Sequence, residues 1–313
     1  MQSVCFAVFR FLRNSYIFFA PEPQTTLDSA GPVCYNRCGR KKRRPGKEPD
    51  MKQCFSTLGC VERPLADILT LAQTYQIPYL ELRGIGGVID NREIAAFAPD
   101  RIGATRTILE DAGLQVRVIG ASASFHEPRE RAASLAEAHE AVRIAAALGA
   151  PYIRVFGNNT GNDPAAAIRS VTEGLTLLAD DAAAHGVTAL LETHGDFNCA
   201  ETLAPVLDAL GDRAGFGLIW DVMHTYFATG REFQPLYRLL RPCIRHIHFK
   251  DCLPDRTQVL PGKGDIPLRA IVEQLRADGF DGCLSLEWER KWHPELPPIE
   301  EALAAMGEIL GKE

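Results

Sequence analysis

Past residue 50 the chain alternates two patterns: short apolar runs rich in β-branched and aromatic residues, and longer Ala/Leu/Glu-rich stretches with apolar residues at helical spacing. The short runs are CFSTLG (54–59), YLELRG (79–84), QVRVIGASAS (115–124), YIRVFG (152–157), TALLETHG (188–195), FGLIWD (216–221), RHIHFKD (245–251) and CLSLEWE (283–289). They start roughly 25 to 40 residues apart, and strands alternating with helical patterns predict a parallel sheet. Eight such units are what closes a barrel, so the predicted fold is α/β, a single-domain (β/α)8 TIM barrel over residues 51–313. The helix signals agree. Residues 133–150 are apolar at helical spacing and stop at Gly149; the next segment opens on Asp163 as N-cap with Pro164 behind it and stops at Gly186. A glycine just before a strand recurs at 113, 149, 186, 215 and 279, each reading as a helix C-cap. An open doubly wound sheet would want a Gly-rich phosphate loop after its first strand, and STLGC is not one.

The polar positions are not scattered. In this fold apolar layers fill the barrel and chemistry sits at the C-terminal ends of the strands. Each of the last four strands begins apolar and ends ionisable, as LLETH, LIWDVMH, IHFKD and SLEWE. Side chains alternate faces along a strand, so Leu190, Glu192 and His194 share one face, His246, His248 and Lys250 another, and Ser285, Glu287 and Glu289 a third. Asp221 closes its strand, with His224 three residues on. One such Glu is usually a surface residue and one such His a satisfied core residue. Four on four consecutive strands are another matter: Glu192, Asp221, His248 and Glu287 converge at the barrel mouth, where three carboxylates repel unless a cation neutralises them. A carboxylate-rich set with one imidazole favours Mn2+ or Mg2+ and admits Co2+ or Zn2+.

Charge divides the chain at Met51. Residues 1–50 hold nine Lys/Arg against four acids, leaving 25 basic and 36 acidic residues in 51–313, a net of about −11. An acidic body of that kind argues against a nucleic-acid partner. The first fifty residues include an apolar stretch broken by Arg10 and Arg13 and the basic cluster GRKKRRPGK, and are read as a disordered extension or a misassigned start. No charge-free apolar run is long enough to span a membrane. Nine cysteines without a CxxC pair fit a reduced, cytoplasmic enzyme better than a disulfide framework.

LETHGDF, the WDxxH of Trp220 to His224, HIHFKD, PGKGDIP (261–267) and SLEWERKWHPEL occur in the order and spacing of a known group. The chain resembles the sugar phosphate isomerase/epimerase family of xylose-isomerase-like TIM barrels over roughly residues 54–310. That resemblance implies the same four metal ligands, with Glu192 and Glu287 also acting as the acid–base pair on a small sugar, polyol or sugar phosphate, through a cis-enediolate. It implies too that His224 and Arg256 hold substrate oxygens. Glu81 and Arg83, His126, Arg154 and His194 are further candidates to line the pocket, and Lys250 a candidate amine or an ion-pair partner of Asp251. The PGKGD loop offers backbone N–H groups to an anion on weaker grounds. The leading expectation is an isomerase or epimerase; the alternative is a lyase that dehydrates a cyclic polyol or a dehydroshikimate-like substrate. An apurinic endonuclease would need an Asp-x-His pair where this chain reads Arg256-Thr257-Gln258. A barrel that binds without turnover is disfavoured by the complete ligand set. Barrels of this kind often pair, so a homo-oligomer is also an expectation, with no surface singled out.

Overall fold

The computed structural model describes residues 51–311, so the expectation for residues 1–50 lies outside them. Strands β1 (Lys52–Ser56), β2 (Tyr79–Leu82), β3 (Gln115–Ser124), β4 (Tyr152–Phe156), β5 (Thr188–Glu192), β6 (Phe216–Asp221) and β7 (Ile244–Phe249) are followed by a two-residue pair, β8 (Asp251–Cys252) and β9 (Gln258–Val259), and by β10 (Cys283–Leu286). Eight of them close into a barrel in the order β1-β10-β7-β6-β5-β4-β3-β2, while β8 and β9 form a small antiparallel hairpin on its rim. Helices α1 (Leu65–Thr74), α2 (Ile102–Asp111), α3 (Arg131–Leu148), α4 (Pro164–Ala184), α5 (Ala200–Leu210), α6 (Val222–Ala228), α7 (Gln234–Leu240) and α8 (Leu268–Ala277) connect the strands, and α9 (Ile299–Leu310) follows the last of them. This is the (β/α)8 barrel that the alternation predicts. None of the described helices is long and apolar enough to cross a membrane.

Local chemistry sets the boundaries. The Asp163 carboxylate accepts the N–H of Ala166 and Pro164 occupies the first turn, so α4 starts there. Gly149 ends α3 in the left-handed region at φ 72°, which a glycine adopts without strain. Gly215 serves a second need as well as φ 79°: a Cβ there would stand 2.1 Å from the Ala179 carbonyl oxygen.

The wall of the barrel has two unlike faces. Along β6, Leu218 and Trp220 point outward into the large apolar core shared with the helices. Ile219 points inward, where it meets Val118 and Leu190 in a small separate cluster against Tyr152. Several predicted runs overshoot the observed strands: 188–195 ends at Glu192, 283–289 at Leu286, and 54–59 turns into a 3-10 helix at Thr57. In the first two, where the run turns from apolar to ionisable, the barrel opens and pairing gives way to loops. The six described cysteines are all free and buried.

Candidate metal centre

Register brings the site together. Asp221 pairs with His248 across β6 and β7, and His248 pairs with Ser285 on β10. Glu287 follows two residues after Ser285, on the same face, and its N–H reaches the Phe249 carbonyl at 3.3 Å. Glu192 ends β5. The four side chains each offer one atom, all within 4.8 Å of one another, and all four are buried. His248 Nδ1 lies 3.3 Å from Glu192 Oε1, 3.2 Å from Glu287 Oε2 and 3.9 Å from Asp221 Oδ2.

Each carboxylate is held by its own local device. Asp221 doubles as the N-cap of α6: Oδ1 accepts the N–H groups of Met223 and His224 at 2.9 Å, which turns Oδ2 toward the others. The Asp221 N–H donates to Thr193 Oγ1 at 2.8 Å. Glu287 is steadied by Gln258 on β9, whose side-chain amide donates to the Glu287 carbonyl at 2.9 Å and accepts the Glu289 N–H at 3.0 Å. Arg154, on β4, lies 3.2 Å from Glu192 Oε2 and over the ring of Phe156.

Three buried acids in contact would be prohibitive without positive charge. Lys250 supplies part of it. Its Nζ sits 2.8 Å from Asp221 Oδ2, 2.7 Å from Glu287 Oε2 and 2.5 Å from Glu289 Oε1. Burial disfavours its charge, yet Asp221 and the two glutamates outweigh that and push its pKa well up. Burial likewise works against the Glu192 carboxylate, but His248 wins and pulls its pKa down to about 2. The pKa of Glu287 also falls well below the ordinary value, because His248 and Lys250 outweigh burial. Asp221 goes the other way, raised by burial despite Lys250. These groups suit a hard divalent cation. The donor set is oxygen-rich with one imidazole, and the buried His248 Nδ1, aimed at all three carboxylates, makes no hydrogen bond of its own.

The remaining expected residues fall at three levels. At the rim, the His194 ring is tilted by 58° to that of Phe156, 5.0 Å between centres, and stands edge-on to His224 with ring centres 4.5 Å apart. Burial, then Lys250 and His194, hold the pKa of His224 down at about 3, so its ring is neutral beside the site. His126 follows β3 and shares a 2.7 Å hydrogen bond with Ser124 Oγ, which also receives the Asn158 amide. Arg256 lies in the exposed turn of the β8–β9 hairpin with its guanidinium over the ring of Phe227. Glu81 lies within the barrel interior, where His246 and His248 take its oxygens rather than a pocket. Arg83 shares its inward face and donates to Ser122 Oγ at 2.7 Å and to the Ile89 carbonyl.

Two readings need correction. The ion pair expected between Lys250 and Asp251 does not form, because neighbours on a strand point to opposite faces. The Asp251 carboxylate instead accepts four backbone N–H groups, from Cys252, Gly262, Gly264 and Ile266. The PGKGD loop therefore spends its N–H groups on Asp251 and has none of these left for an anion. A Cβ at Gly264 would come within 2.2 Å of Asp251 Oδ1, which explains the glycine. The reach of Lys250 was signalled by the face it shares with His246 and His248. Nothing in the sequence signalled Gln258, which lies 29 positions before the Glu287 it supports.

Comparison with known proteins agrees with this architecture. A family model described as xylose isomerase-like TIM barrel matches residues 79–309. An inosose isomerase of Bacillus velezensis is 32% identical over 143 residues; the match spans 42% of this chain and half the length of that relative. Among solved structures, the IOLI protein with a bound zinc atom superposes with a TM-score of 0.69 at 20% identity, covering 83% of this chain and 98% of that one. The probable 3-DHS dehydratase AsbF of Bacillus anthracis gives a TM-score of 0.66 at 18% identity, covering 84% and 100%.

Proposed function

Because this chain belongs to the xylose isomerase-like TIM barrel family, we propose that it is a metal-dependent isomerase or epimerase of a small sugar, polyol or sugar phosphate. The observation that carries the reading is the placing of two buried glutamates around one point: Glu192 Oε1 and Glu287 Oε2 lie 3.3 and 3.2 Å from the same imidazole nitrogen. β10 flanks β7 on one side and β5 stands two strands away on the other, so the two carboxylates approach from opposite directions. A sugar held between them presents one carbon to both. Ionised at neutral pH, either can take a proton from the carbon beside a carbonyl, and the carboxyl group so formed can return it. Glu192, Asp221, His248 and Glu287 would hold a divalent ion. Its charge, when bound, would lower the energy of an enediolate's oxygens. The bound zinc of the IOLI protein and the activity of the inosose isomerase support this assignment.

Lys250 favours a second reading within the same site. Its buried ammonium, in contact with Glu287, holds that carboxylate ionised as the base that takes the carbon-bound proton in a dehydration, which suits a lyase acting on a cyclic polyol or dehydroshikimate-like substrate. The similarity to the probable 3-DHS dehydratase AsbF supports it to the extent of the shared fold. Metal-loaded protein incubated with a panel of ketoses, inososes and 3-dehydroshikimate in D2O separates the two. Deuterium on carbon in a recovered sugar supports the isomerase, a dehydrated product supports the lyase, and neither from any substrate overturns both.

A further inference from the structure

We infer that Glu81 is the positioning residue of the metal centre, acting through His248, with His246 holding Glu81 in turn. This inference rests on the metal reading above and deepens it. Glu81 is a fully buried carboxylate inside the barrel, with neither lysine nor arginine bonded to it, and such a group needs a reason to be there. Its partners supply one. His248 Nε2–H lies 3.2 Å from each of the two Glu81 oxygens, and His246 Nε2–H donates to Oε2 at 2.9 Å. All three side chains are 0% exposed.

The geometry of His248 makes the consequence specific. A neutral imidazole hydrogen-bonded to a carboxylate through Nε2 keeps its one proton there, which leaves the Nδ1 lone pair free for a cation. That nitrogen is the one aimed at Glu192, Asp221 and Glu287. Glu81 thus selects the ligating tautomer, fixes the plane of the ring, and makes Nδ1 a better donor to a cation. His246 rises from the same face of β7 two residues earlier and stands edge-on to His248, so it closes the far side of the carboxylate. The 2.9 and 3.2 Å separations are hydrogen-bond lengths, which assigns these three residues to a support for the ion rather than a second cage for one.

The test is Co2+ titration of metal-stripped wild type and Glu81→Gln, followed by visible absorption of the bound ion and by calorimetry, with no assay of turnover. The wild type binds one equivalent, and the variant binds with a dissociation constant about 10- to 100-fold larger and an altered spectrum. An unchanged constant and spectrum in Glu81→Gln overturn the inference while leaving the metal reading intact; no binding by the wild type overturns the metal reading itself. Two equivalents in the wild type falling to one in the variant also overturn it, since Glu81 would then be a ligand. If Glu81→Gln does not fold, 15N NMR of the Zn2+-loaded wild type decides: a proton on His248 Nε2 is expected, and a proton on Nδ1 overturns the proposal.

Discussion

The two faces of the barrel wall follow different rules, and β6 shows both within six residues. Outward, Leu218 and Trp220 enter an apolar core; the Trp220 ring lies 5.0 Å from that of Tyr237, and its one polar atom is matched by Thr225 Oγ1 at 2.8 Å. Inward, Ile219 is followed by Asp221, and the interior above the small Val118–Leu190–Ile219 cluster is occupied by acids, imidazoles, Arg154 and Lys250. Barrel interiors of this fold are ordinarily filled with branched apolar layers. The outer face is therefore organised for stability. The inner face accepts buried charge whose benefit lies in what it can hold.

The largest effect expected of breaking this contrast is on chemistry. Glu287→Gln in protein kept saturated with metal lowers kcat by about 100- to 10,000-fold, the usual weight of a lost acid–base group, and steady-state kinetics on the substrate found in D2O measure it. A loss of only a few-fold would remove Glu287 from the catalytic pair. On the outer face the expectation reverses. Leu218→Ala costs about 2–5 kcal/mol of unfolding free energy in urea titration but leaves metal affinity unchanged. A parallel fall in metal affinity would mean that the two faces are not independent.

Acidity gives a graded version of the same contrast. Burial opposes the charge on His248, but Glu287, Glu81 and Glu192 outweigh it and raise its pKa well above the ordinary value. A proton held below that raised pKa must leave before Nδ1 can face a cation. Apparent metal affinity therefore climbs with pH, by up to about tenfold per unit for one displaced proton. The sign for the metal-free fold is opposite: the stabilisation is complete below the unfolded-state value of about 6.5 and is lost as pH rises through the raised one. Calorimetric titrations at several pH values check the first, and thermal melts of stripped protein the second. The smallest effect belongs to the outer layer: Asp163→Ala removes the cap of α4 and costs about 1 kcal/mol, measurable by denaturant titration with no change in metal binding.

How much of this could be read in advance followed the range of the physics. The barrel was legible because alternation of patterns and glycine caps are local, as at Gly149 and Asp163. The convergence of Glu192, Asp221, His248 and Glu287 was legible because parallel strands end together and side chains alternate, so register needed no distant information. Partner choice between distant segments was not legible. Glu81, a candidate pocket residue by its position on β2, finds its hydrogen-bond partners 165 and 167 positions away on β7. Asp251 organises a loop up to 15 residues downstream through backbone N–H groups that no side-chain pattern encodes. Gln258 is silent for the same reason.

The central claim is that the inner face holds one divalent ion on four side chains, and metal content tests it most directly. Protein loaded with Mn2+ or Zn2+ and then dialysed is expected to retain about one equivalent per chain by elemental analysis, and His248→Ala close to none. Less than about a tenth of an equivalent in the wild type, or equal retention in His248→Ala, would contradict the account.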